Sequence, residues 1–183
     1  MQMSEKINAQ GTIKYMIGWI IVLLSRLIPF RPPNVEPLLA TIMPFSKRYG
    51  WLGGFVFGLS SIVIFDIVTG KVGVWTMITG VAYGLVAIGA SLFFRDREAS
   101  RKSYVQYAIV GTIAYDTLTG LTIGPLFFGQ TLMSAFVGQI PFTLWHLGGN
   151  IVFAAVLSPL IYRWVIDNKN LELTAVLRKI SFA

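Results

Sequence analysis

Apolar residues run through this chain in long blocks, separated by short polar gaps. Residues 12–29 form the first block, with Lys14 and Arg26 near its ends, where long side chains can snorkel toward lipid headgroups. The following I-P-F-R-P-P-N-V-E-P holds four prolines and cannot be helical throughout, so it reads as a structured loop. Residues 37–46 are the shortest block. The ten residues between Glu36 and Lys47 give about 15 Å of helix against a hydrocarbon core of roughly 30 Å. Pro44 adds a kink, so this segment must be short, tilted or extended by its neighbours. Blocks at 49–69 and 72–94 are stronger, and the second carries no charge over twenty-three residues. The charged stretch R-D-R-E-A-S-R-K follows. Between 103 and 166 the only formal charges are Asp116 and Arg163, room for two spans or three.

Charge asymmetry separates these choices. Two spans there, at about 104–124 and 142–166, make six in all and place both termini on one side. That side then holds twelve of the fifteen basic residues, and the other holds only Arg26, Arg31 and Lys71. Basic residues concentrate in cytoplasmic loops, so six spans with cytoplasmic termini fit and a seventh would spoil the pattern. The expected fold is an all-α integral membrane protein: a cytoplasmic lead-in at 1–11, a six-helix transmembrane domain at 12–166 and a cytoplasmic tail at 167–183. Residues 126–140 are expected to continue the fifth helix or to re-enter. In the tail, Leu173, Val176, Leu177 and Ile180 recur at helical spacing, which reads as a short interfacial helix or a plain polar tail.

Composition agrees with lipid as the main solvent. Hydrophobic residues make up 55% and charged residues 13% of the 183 positions, where a soluble domain carries about a quarter charged. The net charge of +7 does not point to nucleic acid, because the basic residues lie in gaps between apolar runs as topology signals do. No cysteine is present, which removes disulfides, thiolate chemistry and cysteine-ligated metals. The N-terminal block has no small-residue cleavage site after it and does not read as a cleavable signal peptide.

In this topology most polar residues embedded in apolar sequence fall in the outer half: Asn34 and Glu36, then Asp66, Thr69 and Lys71, Trp75, Tyr115, Asp116 and Thr119, Gln130 and Gln139, and finally Trp145, His146 and Asn150. An ionised Asp at a helix centre costs about 2.5–3.5 kcal/mol on insertion scales, so such groups face a bundle interior or a wet cavity. The inner half offers no relay of acids or histidines, so an outward-open pocket fits better than a channel. Asp66-Ile-Val-Thr69-Gly70 and, fifty residues on, Asp116-Thr-Leu-Thr119-Gly120 set a carboxylate and a threonine before a glycine break, and read as twin parts of one polar site. Asp66 is either a ligand contact or half of an interfacial ion pair with Lys71. Asp116 lies deeper with no basic neighbour in sequence. His146, the single histidine, serves either as a hydrogen-bonded structural group or as a ligand donor, and leaves no metal site of several imidazoles. Trp75 and Trp145 suit interface anchors or stacking platforms. Gly54-xxx-Gly58 and Gly80-xxx-Gly84 suit close helix packing. H-E-x-x-H, G-x-S-x-G and a Walker A lysine motif are absent, so ATP hydrolysis has no recognisable route, no catalytic residue or cofactor site is assigned, and uphill transport would need partners.

The ordered series P-N-V-E-P, a short span ending K-R-Y-G, G-F-V-F-G, F-D-I-V-T-G-K-V-G-V-W-T-M and P-F-T-L-W-H-L-G-G-N-I-V-F-A-A-V-L-S-P-L-I-Y-R resembles the substrate-binding S component of energy-coupling factor (ECF) transporters over residues 26–163. The resemblance implies six helices, a multi-pass protein of a prokaryotic cell membrane and an outer pocket for a vitamin or vitamin-like molecule. It also implies a transmembrane T subunit and two ABC-type ATPases as partners, with the S component toppling in the membrane to release its ligand. By position, Asn34, Glu36, Asp66, Lys71, Trp75, Asp116, Trp145, His146 and Asn150 would contact that ligand. Within the family the pattern is closest to members associated with cobalamin-type ligands. The first helix departs from the alanine-xxx-alanine docking pattern, with Gly18, Val22 and Ser25 along it. Two other classes remain: a structural or assembly membrane protein without transport, and an intramembrane enzyme that would need Asp66 and Asp116 to converge.

Overall fold

The computed structural model describes residues 11–30 and 35–181, with side chains to Arg178. Asn34 and Arg31 lie outside the described residues, as do Lys6 and the side chains of Lys179 and Ile180. The chain is all-helical: α1 (Thr12–Leu27), α2 (Leu38–Thr69), α3 (Val74–Phe93), α4 (Arg101–Gly120), α5 (Ile123–Phe127), α6 (Leu132–Ile161) and α7 (Leu173–Ser181), with a π turn at Tyr162–Ile166 and a 3-10 turn at Lys169–Leu171. Leu38–Thr69, Val74–Phe93 and Leu132–Ile166 are long and apolar enough to cross a membrane. The blocks expected at 12–29 and 104–124 do form helices. However, α1 has 16 residues, about 24 Å, and α4 carries polar residues along its length, with Arg101 and Gln106 exposed and Thr112 and Asp116 buried.

α2 is two helical arms, 38–49 and 51–69, that fold back on each other at Gly50. Eight residues of straight helix span about 12 Å, yet a Cβ on Gly54 would meet the Ser46 side chain, and the rings of Phe45 and Phe57 stack with centroids 4.2 Å apart. The turn depends on Gly50, whose φ of 74° with ψ of −170° is a region essentially reserved for glycine. Nothing lies within 4 Å of an added Cβ there, so the constraint is the backbone alone. Gly50→Ala should therefore lose roughly 1–3 kcal/mol of stability without any steric clash, read as a lower unfolding temperature in detergent. The hairpin explains how the ten-residue block at 37–46 is satisfied: it is a buried arm supported by its neighbour, with Leu38, Ile42, Met43 and Phe45 fully inside.

The glycine pairs serve the packing expected of them. Gly58 meets the backbone of Tyr83 and Gly84, Gly84 faces Phe55, and Gly80 faces Leu59, so α2 and α3 run in close contact. α4 packs mainly on α6. Gly18 and Val22 of α1 are buried, with Gly18 against Phe45 and Phe57, so this small-residue stripe faces the bundle; Met16, Ile20 and Leu24 face outward.

Three sequence expectations are corrected. Residues 132–140 do not continue the fifth helix; they are the first turns of α6. Thr131 caps them, its hydroxyl accepting from Ser134 N at 3.2 Å, and Pro141 sits within the helix. Lys14 does not snorkel: it is buried, and its ammonium donates to Ile166 O at 2.7 Å, satisfying a carbonyl at the end of the last long helix. Arg26 does not reach away from the bundle either. Its guanidinium lies 4.1 Å over the Phe65 ring, with Nε 3.2 Å from Glu36 Oε2. At the Lys14 end of the bundle, Lys47 donates to Phe94 O and Arg97 O at 3.2 and 2.6 Å, closing α3. In the tail, residues 173–181 are helical.

Candidate functional site

At the end of the bundle opposite Lys14 and Lys47, the last turn of α1, the entry to α2, the first half of α3, the end of α4, α5 and the first half of α6 enclose a cavity of about 420 Å³. Its polar and aromatic lining comes from Arg26, Glu36, Thr79, Tyr83, Tyr115, Thr119, Gln130, Gln139, Phe142 and His146, with Ile123 the one aliphatic side chain among the described lining residues.

Two buried polar pairs form the walls. On the α4–α6 side, Asp116 Oδ1 lies 2.7 Å from His146 Nδ1, with the residues 1% and 2% exposed. One turn deeper, Asn150 donates through Nδ2 to Thr112 Oγ1 at 2.8 Å. The spacing explains the alignment: Thr112 and Asp116 are four apart on α4, His146 and Asn150 four apart on α6, and residues four apart share one helix face. On the α1–α3 side, Tyr83 donates its hydroxyl to Glu36 Oε1 at 3.0 Å while Arg26 approaches Oε2. Tyr83 and Tyr115 stack with centroids 4.0 Å apart, and Tyr115 and Phe142 both present edge contacts to the His146 ring, so aromatic groups join the two walls.

Among the described residues, buried polar atoms without a hydrogen-bond partner include Arg26 Nε and Nη1 and His146 Nε2 on lining residues, Asp116 Oδ2 and Asn150 Oδ1 behind the wall, and Tyr15 Oη, Trp19 Nε1, Ser46 Oγ and Tyr104 Oη elsewhere in the bundle. Arg26 Nε is close enough to Glu36 to count as an ion pair but is not aligned as a hydrogen bond; the distance carries the electrostatic attraction, and the donor remains free to turn. Buried groups of this kind normally find partners, and each one left without costs free energy. The cavity gathers charged, hydroxyl, amide and imidazole side chains at one end of the bundle, and this makes it the candidate ligand site.

The twin motifs part company. Asp66 is buried, but its carboxylate serves the α2–α3 turn: Thr76 donates to Asp66 Oδ2 at 2.6 Å while its hydroxyl oxygen accepts from Gly73 N at 3.0 Å. Gly70, at φ 65°, ends α2, and Lys71 N donates to Asp66 O at 2.8 Å. Among the described residues no Asp66–Lys71 ion pair forms; Lys71 meets Asp66 through its backbone N–H. Thr76→Val should leave that buried carboxylate without its hydroxyl donor and lower stability by about 1–3 kcal/mol, with no change in ligand affinity, as measured by thermal unfolding and binding on the same preparation. Asp116, in contrast, faces the cavity wall.

Of the residues singled out in the sequence, Glu36, Tyr115, Thr119, Gln130, Gln139 and His146 line the cavity, and Asp116 and Asn150 stand just behind it. Thr69, which bonds back to Phe65 O, is not among the lining residues, nor are Asp66 and Lys71. Trp75 is 41% exposed with Nε1 donating to Lys71 O, and Trp145 is 70% exposed; neither is a stacking platform for this cavity. Sequence reasoning missed Tyr83, which sits in an apolar run on α3 with no motif around it, and read Arg26 only as an anchor. The signal for Arg26 was its pairing with Glu36 across the proline loop.

No family model matches the chain, and no curated protein or solved structure matches it.

Proposed function

We propose that the chain is the substrate-binding subunit of an ECF-type importer, capturing a vitamin or vitamin-like molecule in an outward-facing pocket. In this reading six helices, with the arms of α2 counted separately, traverse the prokaryotic cell membrane and both termini are cytoplasmic. The observation that carries it is the buried Asp116–His146 pair at the wall of a 420 Å³ cavity at one end of the bundle. The cavity end is the one that charge asymmetry puts outside, and Lys14 and Lys47 fall at the other. A cavity at that end suits capture, and delivery falls to a T subunit and two ABC-type ATPases. Since Gly18 and Val22 are buried against α2, docking of the T subunit uses surface other than that stripe.

Uptake of radiolabelled vitamins into cells tests the division of labour. Uptake is expected only when the T subunit and ATPases are co-expressed, and is abolished by inactivating the ATPases. Uptake by the chain alone contradicts the proposal. A membrane scaffold, the competing reading, gives no saturable binding in either case.

A further inference from the structure

A second concavity adjoins the first. On the exposed side of the α4–α6 contact, Thr117 and Leu121 of α4 face Phe136, Ile140, Thr143 and Leu144 of α6 across a groove of about 270 Å³. The helical repeat keeps the two apart. On α4, Thr117 and Leu121 are four residues apart and share one face, while Thr119 and Gly120 turn toward the cavity. On α6, Phe136, Ile140 and Leu144 form one stripe at the same spacing, while Phe142 and His146, also four apart, line the cavity. Leu132, one turn before Phe136, continues the stripe, and all four of its residues are more than half exposed.

Gln139 is the side chain that both concavities share. It reaches from α6 to the last residue of α4: a Cβ on Gly120 would collide with its carboxamide, so a glycine is what seats it there. On the groove side its Nε2 donates to Thr143 Oγ1 at 3.2 Å, the long end of the hydrogen-bond range. A flexible side chain held in this way can turn aside. Cavity and groove then form one site with a polar end and an apolar end.

Lipid tails are as apolar as the groove, so burial alone gives no preference for one chain over the rest of the bilayer. A chain stays there when its polar end is anchored, and the adjoining cavity, lined by Arg26, Glu36 and His146, supplies the anchor. Resting on the reading of the cavity as a ligand site in a membrane-spanning bundle, we infer that its ligand is a single-chain amphiphile taken from the membrane. The polar head occupies the cavity, the hydrocarbon chain lies in the α4–α6 groove, and Gln139 stands at the junction. This narrows the vitamin-like class to molecules that carry such a chain.

The test is photo-crosslinking of the purified full chain in nanodiscs of phosphatidylethanolamine and phosphatidylglycerol. The probes are a monoacylglycerol and a lysophosphatidylglycerol, each prepared with a diazirine either in the chain or in the head group. For at least one of them, saturable chain labelling is expected at Phe136, Ile140 or Leu144, and head labelling at Tyr115 or Phe142. Ile140→Trp, which fills the groove from a half-exposed position, is expected to reduce both at least fivefold; Val152→Trp, exposed on the same helix away from the groove, is expected to change neither. Chain labelling spread equally over Met16, Ile20 and Val156, or unaltered in Ile140→Trp, marks ordinary lipid contact and overturns the inference. Saturable binding of biotin, riboflavin or thiamine that survives Ile140→Trp, with no labelling of the groove, overturns it and leaves the ligand-site reading standing. Neither labelling nor binding, from a protein that retains nothing through purification, overturns both.

Discussion

Asp116→Ala should be the most damaging single substitution in the chain. The aspartate is 1% exposed and its carboxylate is the only described partner of His146 Nδ1. Removing it leaves the buried imidazole without its acceptor and opens a void in the packed α4–α6 contact, so a loss at or above the upper end of about 1–3 kcal/mol is expected. Asp116→Asn separates folding from function. Its Oδ1 can still accept from Nδ1–H, so its stability loss should stay near 1–3 kcal/mol. Ligand retention should nevertheless fall sharply in both, since the carboxylate that orients the imidazole is gone. Thermal unfolding together with binding on each variant checks this. If Asp116→Asn binds as tightly as the native protein, the pair is only structural.

Gly58→Leu is the second. A Cβ at this position would stand 2.9 Å from Tyr83 O and 3.0 Å from Tyr83 C. These are backbone atoms and cannot rotate aside, so α3 must move away from α2. Overpacking usually costs about 1–3 kcal/mol, and the upper end or beyond is expected here. The consequence reaches the cavity, because Tyr83 holds Glu36 and stacks on Tyr115. Ligand affinity should therefore fall along with stability. Gly148→Ala is the control: nothing lies within 4 Å of its added Cβ, and the change is expected to be neutral or slightly stabilising. Equal effects from the two would show that close α2–α3 packing does not matter.

How far the residues alone revealed this arrangement depended on which forces left a mark in sequence. Long apolar blocks marked α1, the second arm of α2, α3 and most of α4, because burial in an apolar solvent needs length and little else. The short block at 37–46 was legible as an exception, but the hairpin that resolves it rests on one glycine dihedral. The start of α6 was misplaced by ten residues because Gln139, Pro141 and Thr143 dilute the apolar signal, whereas the Thr131 cap that begins the helix is a local hydrogen bond. In the site, Asp116, His146 and Asn150 stood out as polar groups in apolar runs. Asp66 carried the same signal for a different reason: its partner, Thr76, lies across a tight turn, and an acid that closes a turn looks in sequence like one that faces a ligand. Tyr83 left no mark, since an aromatic residue in a membrane helix is unremarkable until its hydroxyl finds Glu36.

The central claim is that the cavity beside Asp116 and His146 holds a small molecule. Native mass spectrometry of the chain, gently extracted from membranes and compared with Asp116→Asn, measures this directly. The expected spectrum shows the native protein carrying one additional small molecule at unit stoichiometry, largely absent from the variant. A native protein that carries no small molecule, or a variant that carries the same one to the same extent, would contradict the account.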